Sequence, residues 1–247
     1  MKKLFFLFSF LILNSSFFIS KLFAQEKITF PSKDGITITA DWYKTDDKAP
    51  IIILCHQAGF SRGEYLETAK KLNSYGFNCL AVDLRSGNEI NGVKNETAAL
   101  AKEKNKPTAY LDAEQDMIAS IEYVFKKYNR KAILWGSSYS ASLALKIGKS
   151  DKKIAAVIAF SPGEYFDKAL ILHKVIVGQW DKPVFVTSSK DEATNVTELL
   201  NGLNSMKKVQ FIPQRDGVHG SRALWQDNKN HQEYWLNLKA FLNDLKK

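Results

Sequence analysis

Gly136-Ser137-Ser138-Tyr139-Ser140 follows the apolar run KAILW and leads directly into ASLALKIG, so a serine lies between a predicted strand and a predicted helix. A hydroxyl held on such a turn projects beyond the sheet edge, and small neighbours let the helix pack close. The free N–H groups and positive dipole end of the helix favour an oxyanion there. Ser138 is the candidate nucleophile, and a serine needs a base to attack at neutral pH. Of the four histidines, His219 lies in Asp216-Gly217-Val218-His219-Gly220, after the last predicted strand, where it has little packing role. His173 falls in a predicted helix, where a satisfied core position is the default. His231 opens the last helix, and His56 ends a strand and shapes the turn that follows. His219 is therefore the candidate base.

The imidazole must be held in one tautomer by a carboxylate. Asp191, in Ser188-Ser189-Lys190-Asp191 beyond the strand KPVFVT, completes the chain order serine, acid, histidine. Glu192 beside it and Glu164 in Ser161-Pro162-Gly163-Glu164 remain alternatives. An oxyanion hole needs two donors. The backbone N–H of Tyr139 is one, and Gln57 or Ala58, in the turn Cys55-His56-Gln57-Ala58-Gly59, presents the other.

Positioning these groups requires a sheet. Residues 28–32 and 36–43 read as a hairpin about Lys33-Asp34-Gly35. IIILC, then residues 77–84, 131–135, 154–160, 184–187 and 209–212 read as strands, several of them apolar throughout and so buried on both faces. Helical spacing covers 64–75, 111–128, 140–148, 196–203 and 232–245. This alternation predicts an α/β fold: a mostly parallel central sheet of about eight strands with helices on both faces and an antiparallel edge. Ligands of such sheets bind at the carboxyl ends of the strands, where Ser138, Asp191 and His219 all fall.

Residues 1–24 stand apart. Met1-Lys2-Lys3, an apolar run and a polar step before Ala24 read as a secretory signal, leaving residues 25–247 as one large α/β domain, exported to a periplasm or secreted. Lys21 and the polar step leave too short an apolar run for a membrane span, of which ~18 residues are needed. Removing the leader takes three lysines and lowers the net charge from +9 to +6. The remaining lysines are scattered, which reads as a solvated surface and not a nucleic-acid stripe. Cys55 and Cys79, on staggered neighbouring strands, read as buried free thiols. No metal-ligand spacing and no nucleotide loop occurs, so no cofactor is expected.

At these residues the chain resembles the α/β-hydrolase superfamily, and within it the dienelactone-hydrolase-like and small serine esterase branch. HQAGFSRGEY is similar to the oxyanion loop of that family, with Gln57 where glycine is usual. VDLRSGN is similar to its D-x-R-G-x-G segment, in which Asp83 and Arg85 would act structurally. GSSYS, SSKDE and GVHG are similar to the nucleophile elbow, acid loop and histidine loop, with Ser140 replacing a glycine and crowding the elbow slightly. The resemblance implies acyl transfer to water through Ser138, His219 and Asp191, without metal or cofactor, on a small-molecule ester or acylated substrate. Only Ser161 to Asp181 separate two strands where a cap often lies, so no large cap domain is expected and the cleft should be open. Phe60, Tyr165 and Phe166, with Tyr139, are candidate apolar lining. A peptidase or carbohydrate deacetylase on the same triad, or a catalytically silent scaffold that binds a partner, are the rival readings. Nothing in the sequence specifies an oligomeric state.

Overall fold

The structure, a computed structural model, describes residues 24–246. The leader read over 1–24 lies outside the described residues except for Ala24, which opens the first strand. In chain order the strands are β1 (Ala24–Pro31), β2 (Thr37–Lys44), β3 (Ile51–Cys55), β4 (Asn78–Val82), β5 (Glu89–Ile90), β6 (Val93–Lys94), β7 (Ala132–Ser137), β8 (Ile154–Phe160), β9 (Gly178–Trp180), β10 (Val184–Thr187), β11 (Leu203–Ser205) and β12 (Lys208–Phe211). The helices are α1 (Leu66–Ser74), α2 (Glu96–Glu103), α3 (Glu114–Tyr128), α4 (Tyr139–Ser150), α5 (Leu172–Ile176), α6 (Ala193–Leu199) and α7 (His231–Asp244).

Eight strands make one sheet in the order β1-β2-β4-β3-β7-β8-β10-β12. β1 and β2 run antiparallel to their neighbours, and every pairing from β4 to β12 is parallel. Alternation along each strand splits the side chains between two cores. Ile51, Ile53 and Leu134 pack with Met117 and Ile121 of α3 and Leu143 of α4. Ile52, Leu54 and Trp135 pack on the other face with Leu72 of α1 and Leu238 and Phe241 of α7. This is the α/β-hydrolase architecture that the sequence predicts. Only a short 3-10 turn, α5 and β9 lie between β8 and β10, so no cap domain is present among the described residues.

Two buried arginines fix the loops beneath the site. The fully buried Arg85 guanidinium grips Asp116 at 2.7 Å and Asp34 at 2.8 Å, tying the end of β4 to α3 and to the first hairpin turn. Arg62 pairs with Asp83 at 2.6 Å, and also with Asp41 and Glu96. Cys55 and Cys79 are buried free thiols, set apart by a register that pairs Ile52 with Cys79 and Cys55 with Val82.

Some elements differ from expectation. The helix expected to run to Leu203 ends at Leu199, because Gly202 adopts φ +77° and Leu203 starts β11. The β5–β6 ribbon and α2 were not legible, being polar and short.

Candidate active site

Ser138 links β7 to α4 with φ 59° and ψ −125°, a conformation that costs a non-glycine residue on the order of 1–3 kcal/mol. The surroundings hold it there. Its N–H donates to the Phe160 carbonyl at 2.8 Å. The Ser140 hydroxyl accepts the Ser137 N–H at 2.8 Å and lies 2.9 Å from the Cys55 carbonyl. Ser140, expected to crowd the elbow, therefore braces it instead. Gly136 is a different case, since a Cβ there would lie 2.2 Å from the Ser140 carbonyl oxygen and 2.4 Å from Ala141 backbone.

The histidine loop meets the elbow directly. A Cβ on Gly220 would stand 2.7 Å from the Ser137 hydroxyl, and the Ser221 N–H donates to that same hydroxyl at 2.8 Å. His219, next in the chain, presents Nδ1 to a carboxylate, and the carboxylate is Glu192. Asp191 does not reach it. The turn after β10 leaves Asp191 exposed beside Lys190, Asp216 and Gly217, whereas Glu192 is already in helical conformation at the entry to α6. Glu192 also accepts the Ser161 hydroxyl at 2.7 Å and the Ser189 N–H at 3.2 Å. Although burial opposes ionisation, His219 and these donors hold its carboxyl down at about 2. Glu164 serves elsewhere: it caps α5 through the Leu172 and His173 N–H groups and pairs with His173 Nδ1 at 2.8 Å. His173 is half-exposed and not a core residue, because its position on this short helix faces the cleft. The Tyr165 phenol donates to the Ser161 carbonyl at 2.9 Å, and no hydrogen bond joins the Ser138 hydroxyl to His219 among the described residues.

The oxyanion turn is pinned from below. Leu84 N–H donates to His56 Nε2 at 2.9 Å, so the proton of this buried ring is on Nδ1, which donates to the Gln57 carbonyl at 2.8 Å. Burial pushes the His56 pKa down to about 4, which keeps the ring neutral. Phe60 N–H ends on the same carbonyl. A trans planar peptide then aims the Ala58 N–H the opposite way. Gln57 is a correction: its N–H donates to the buried Glu64 carboxylate at 2.8 Å and is not free to meet an oxyanion. Ala58 remains, together with Tyr139, whose N–H opens α4 and has no partner within the helix.

A cleft of about 620 Å³ beside Glu192 is lined by Pro162, Glu164, Tyr165, His173 and Leu199 among others. Tyr165 thus borders the cleft and reaches the Ser161 carbonyl beside β8. Phe60 stacks on Trp225 with ring centroids 6.2 Å apart. Phe166 is not lining; it is buried in the core. The Tyr139 ring is likewise buried, stacked on Tyr110 at 4.7 Å. Sequence reasoning missed Ser137, Ser161 and Glu64. The first two directly precede the elbow serine and follow β8, but Glu64 carries no local signal. Among the described residues no cluster of three or more His, Cys, Asp or Glu is placed to hold a metal ion, and no helix is long and apolar enough to cross a membrane.

Residues 36–211 match the model of the dienelactone hydrolase family. The Pyrococcus furiosus esterase Pf2001 superposes with TM-score 0.62 at 17% identity, covering 90% of this chain and 91% of that one. A dienelactone hydrolase from Anabaena variabilis gives 0.67 at 12%, covering 88% and 95%. The Pyrococcus horikoshii acylaminoacyl peptidase gives 0.65 at 16%, covering 91% of this chain but 42% of that one. No curated protein matches the chain. With the family model spanning most of the described sheet, the chain belongs to the dienelactone hydrolase family and is a hydrolase of the α/β fold.

Proposed function

We propose that the protein hydrolyses carboxylic esters of small molecules through an acyl-enzyme on Ser138, with His219 as base and Glu192 as its orienting acid. The observation that carries this reading is the strained serine between β7 and α4, with a His219–Glu192 pair whose histidine loop bonds its neighbour Ser137. Glu192 accepts from Nδ1, leaving Nε2 to take the Ser138 proton. Ser138 then attacks the acyl carbon, the oxyanion meets the N–H groups of Tyr139 and Ala58, and the protonated His219 delivers its proton to the leaving alkoxide. Water, deprotonated by the same imidazole, cleaves the acyl-enzyme and regenerates Ser138. Catalytic hydrogen bonds commonly close only once substrate is bound, and that between Ser138 and His219 forms at this step. The open cleft favours accessible acyl groups over long chains that need a lid.

We further infer that the protein works outside the cytoplasm, on the basic start and apolar run of residues 1–24. Hydrolysis of p-nitrophenyl acetate tests the enzymatic reading. Turnover abolished in Ser138→Ala supports it; turnover equal in both proteins, or absent from the unaltered chain across short acyl and aryl esters, rejects it.

A further inference from the structure

Glu64 is fully buried, with no ion pair among the described residues to offset its charge: His219 and Arg222 favour its ionised form only through space. Burying such a carboxylate is costly, and an apolar residue of similar size would serve stability better. Its two oxygens are nevertheless fully used. Oε2 accepts the Gln57 N–H at 2.8 Å and Oε1 accepts the Ser137 hydroxyl at 2.7 Å. The Ser137 hydroxyl, its proton committed to Glu64, accepts the Ser221 N–H at 2.8 Å.

The neighbouring peptide repeats the device. Gly220 N–H donates to the Ser161 hydroxyl at 2.9 Å, and that hydroxyl donates to Glu192 at 2.7 Å. Two consecutive N–H groups just after His219 thus each end on a serine hydroxyl, and each hydroxyl is oriented by a carboxylate. One carboxylate, Glu192, meets the imidazole. The other, Glu64, meets the oxyanion turn instead.

Resting on the reading of Ser138 and His219 above, we propose that Glu64 is a positioning residue, which holds the oxyanion turn, the nucleophile elbow and the histidine loop in one frame through Gln57 and Ser137. Three segments that supply donor, hydroxyl and imidazole come from distant parts of the chain, and Glu64 joins the first two directly and the third through the Ser137 hydroxyl. The backbone carbonyl of Glu64 extends the frame by accepting the Trp225 indole N–H at 2.9 Å, while Trp135 donates to the Ser221 hydroxyl at 2.8 Å. The arrangement needs a double acceptor, which Glu64 is once ionised, so its variants are compared above about pH 7.5. In Glu64→Gln the carboxamide offers one acceptor and one donor, so either the Gln57 N–H faces an NH2 group or the Ser137 hydroxyl loses its acceptor.

The test compares Glu64→Gln, Ser137→Ala and the double variant, each at equal folded concentration. The readouts are kcat, KM for p-nitrophenyl acetate, the rate of fluorophosphonate labelling and Tm. Displacing reacting groups by a fraction of an ångström costs rate more than binding, so kcat should fall about tenfold or more with KM nearly unchanged. Labelling should slow in parallel, and the double variant should lose no more than the worse single one, because both act in one relay. A Glu64→Gln protein with a lowered Tm but the kcat of the unaltered chain overturns the proposal, and so do single losses that multiply in the double variant. Should Glu64→Gln not fold, Ser137→Ala with kcat unchanged overturns it equally. Absence of labelling at Ser138 in the unaltered protein would instead reject the underlying functional reading.

Discussion

Exchanging Glu192 for glutamine separates two adjacent acids that the sequence cannot. The Oε2 side of Glu192 faces two donors, the Ser161 hydroxyl at 2.7 Å and the Ser189 N–H at 3.2 Å. In Glu192→Gln the amide oxygen should therefore take that side and turn the NH2 group toward His219 Nδ1. An Nδ1 that accepts forces the imidazole proton onto Nε2, the tautomer that cannot receive a proton from Ser138. A wrong tautomer with intact geometry costs about 10⁴ in kcat, or about 5 kcal/mol in the barrier. Asp191 is exposed and does not touch His219, so Asp191→Asn should change kcat by less than about twofold. The assay is kcat on p-nitrophenyl acetate, with Tm confirming that both variants fold. A collapse in Asp191→Asn, or a Glu192→Gln rate within about tenfold of the unaltered chain, refutes the reasoning.

Gly136→Ala should lower both Tm and kcat, because its Cβ must push against Ser140 and Ala141 backbone; circular dichroism melts and initial rates check it. Ser138→Ala and Ser138→Gly should both be inactive, but glycine relieves the positive φ, so its Tm should equal or exceed that of the alanine variant. Burial pushes the Glu64 pKa up to about 7 from 4.5, so between those values the native chain holds a proton that the unfolded chain has lost. Stability relative to Glu64→Gln should consequently fall as pH rises from about 5 to about 7.5, by melting curves across that range. Arg85→Met leaves Asp116 buried and unpaired and should cost about 3–5 kcal/mol in chemical denaturation.

The central strands were legible because IIILC or IAAVIAF must be buried on both faces, and the elbow because a serine between small residues joins such a strand to a helix. His219 was legible through its glycines. The choice of acid was not: Asp191 and Glu192 differ only in which side of one turn they occupy, and the extra methylene of glutamate reaches back to the imidazole. Gln57 misled for a related reason, since a turn residue reveals its N–H in sequence but not the partner that captures it. That partner, Glu64, sits at the start of an ordinary amphipathic segment, where an acid reads as solvated. Its burial depends on Ser137, some seventy residues later, and on the His219 loop beyond that. Phe166 and Tyr139 failed as lining because an aromatic near a cleft packs inward whenever the core has room for it.

Reaction with a fluorophosphonate, followed by peptide mapping in a mass spectrometer, addresses the nucleophile most directly. A single adduct on Ser138, lost when His219 is changed to alanine, is the expected result. An adduct on any other residue, or one on Ser138 that forms as fast without His219, would contradict the mechanism.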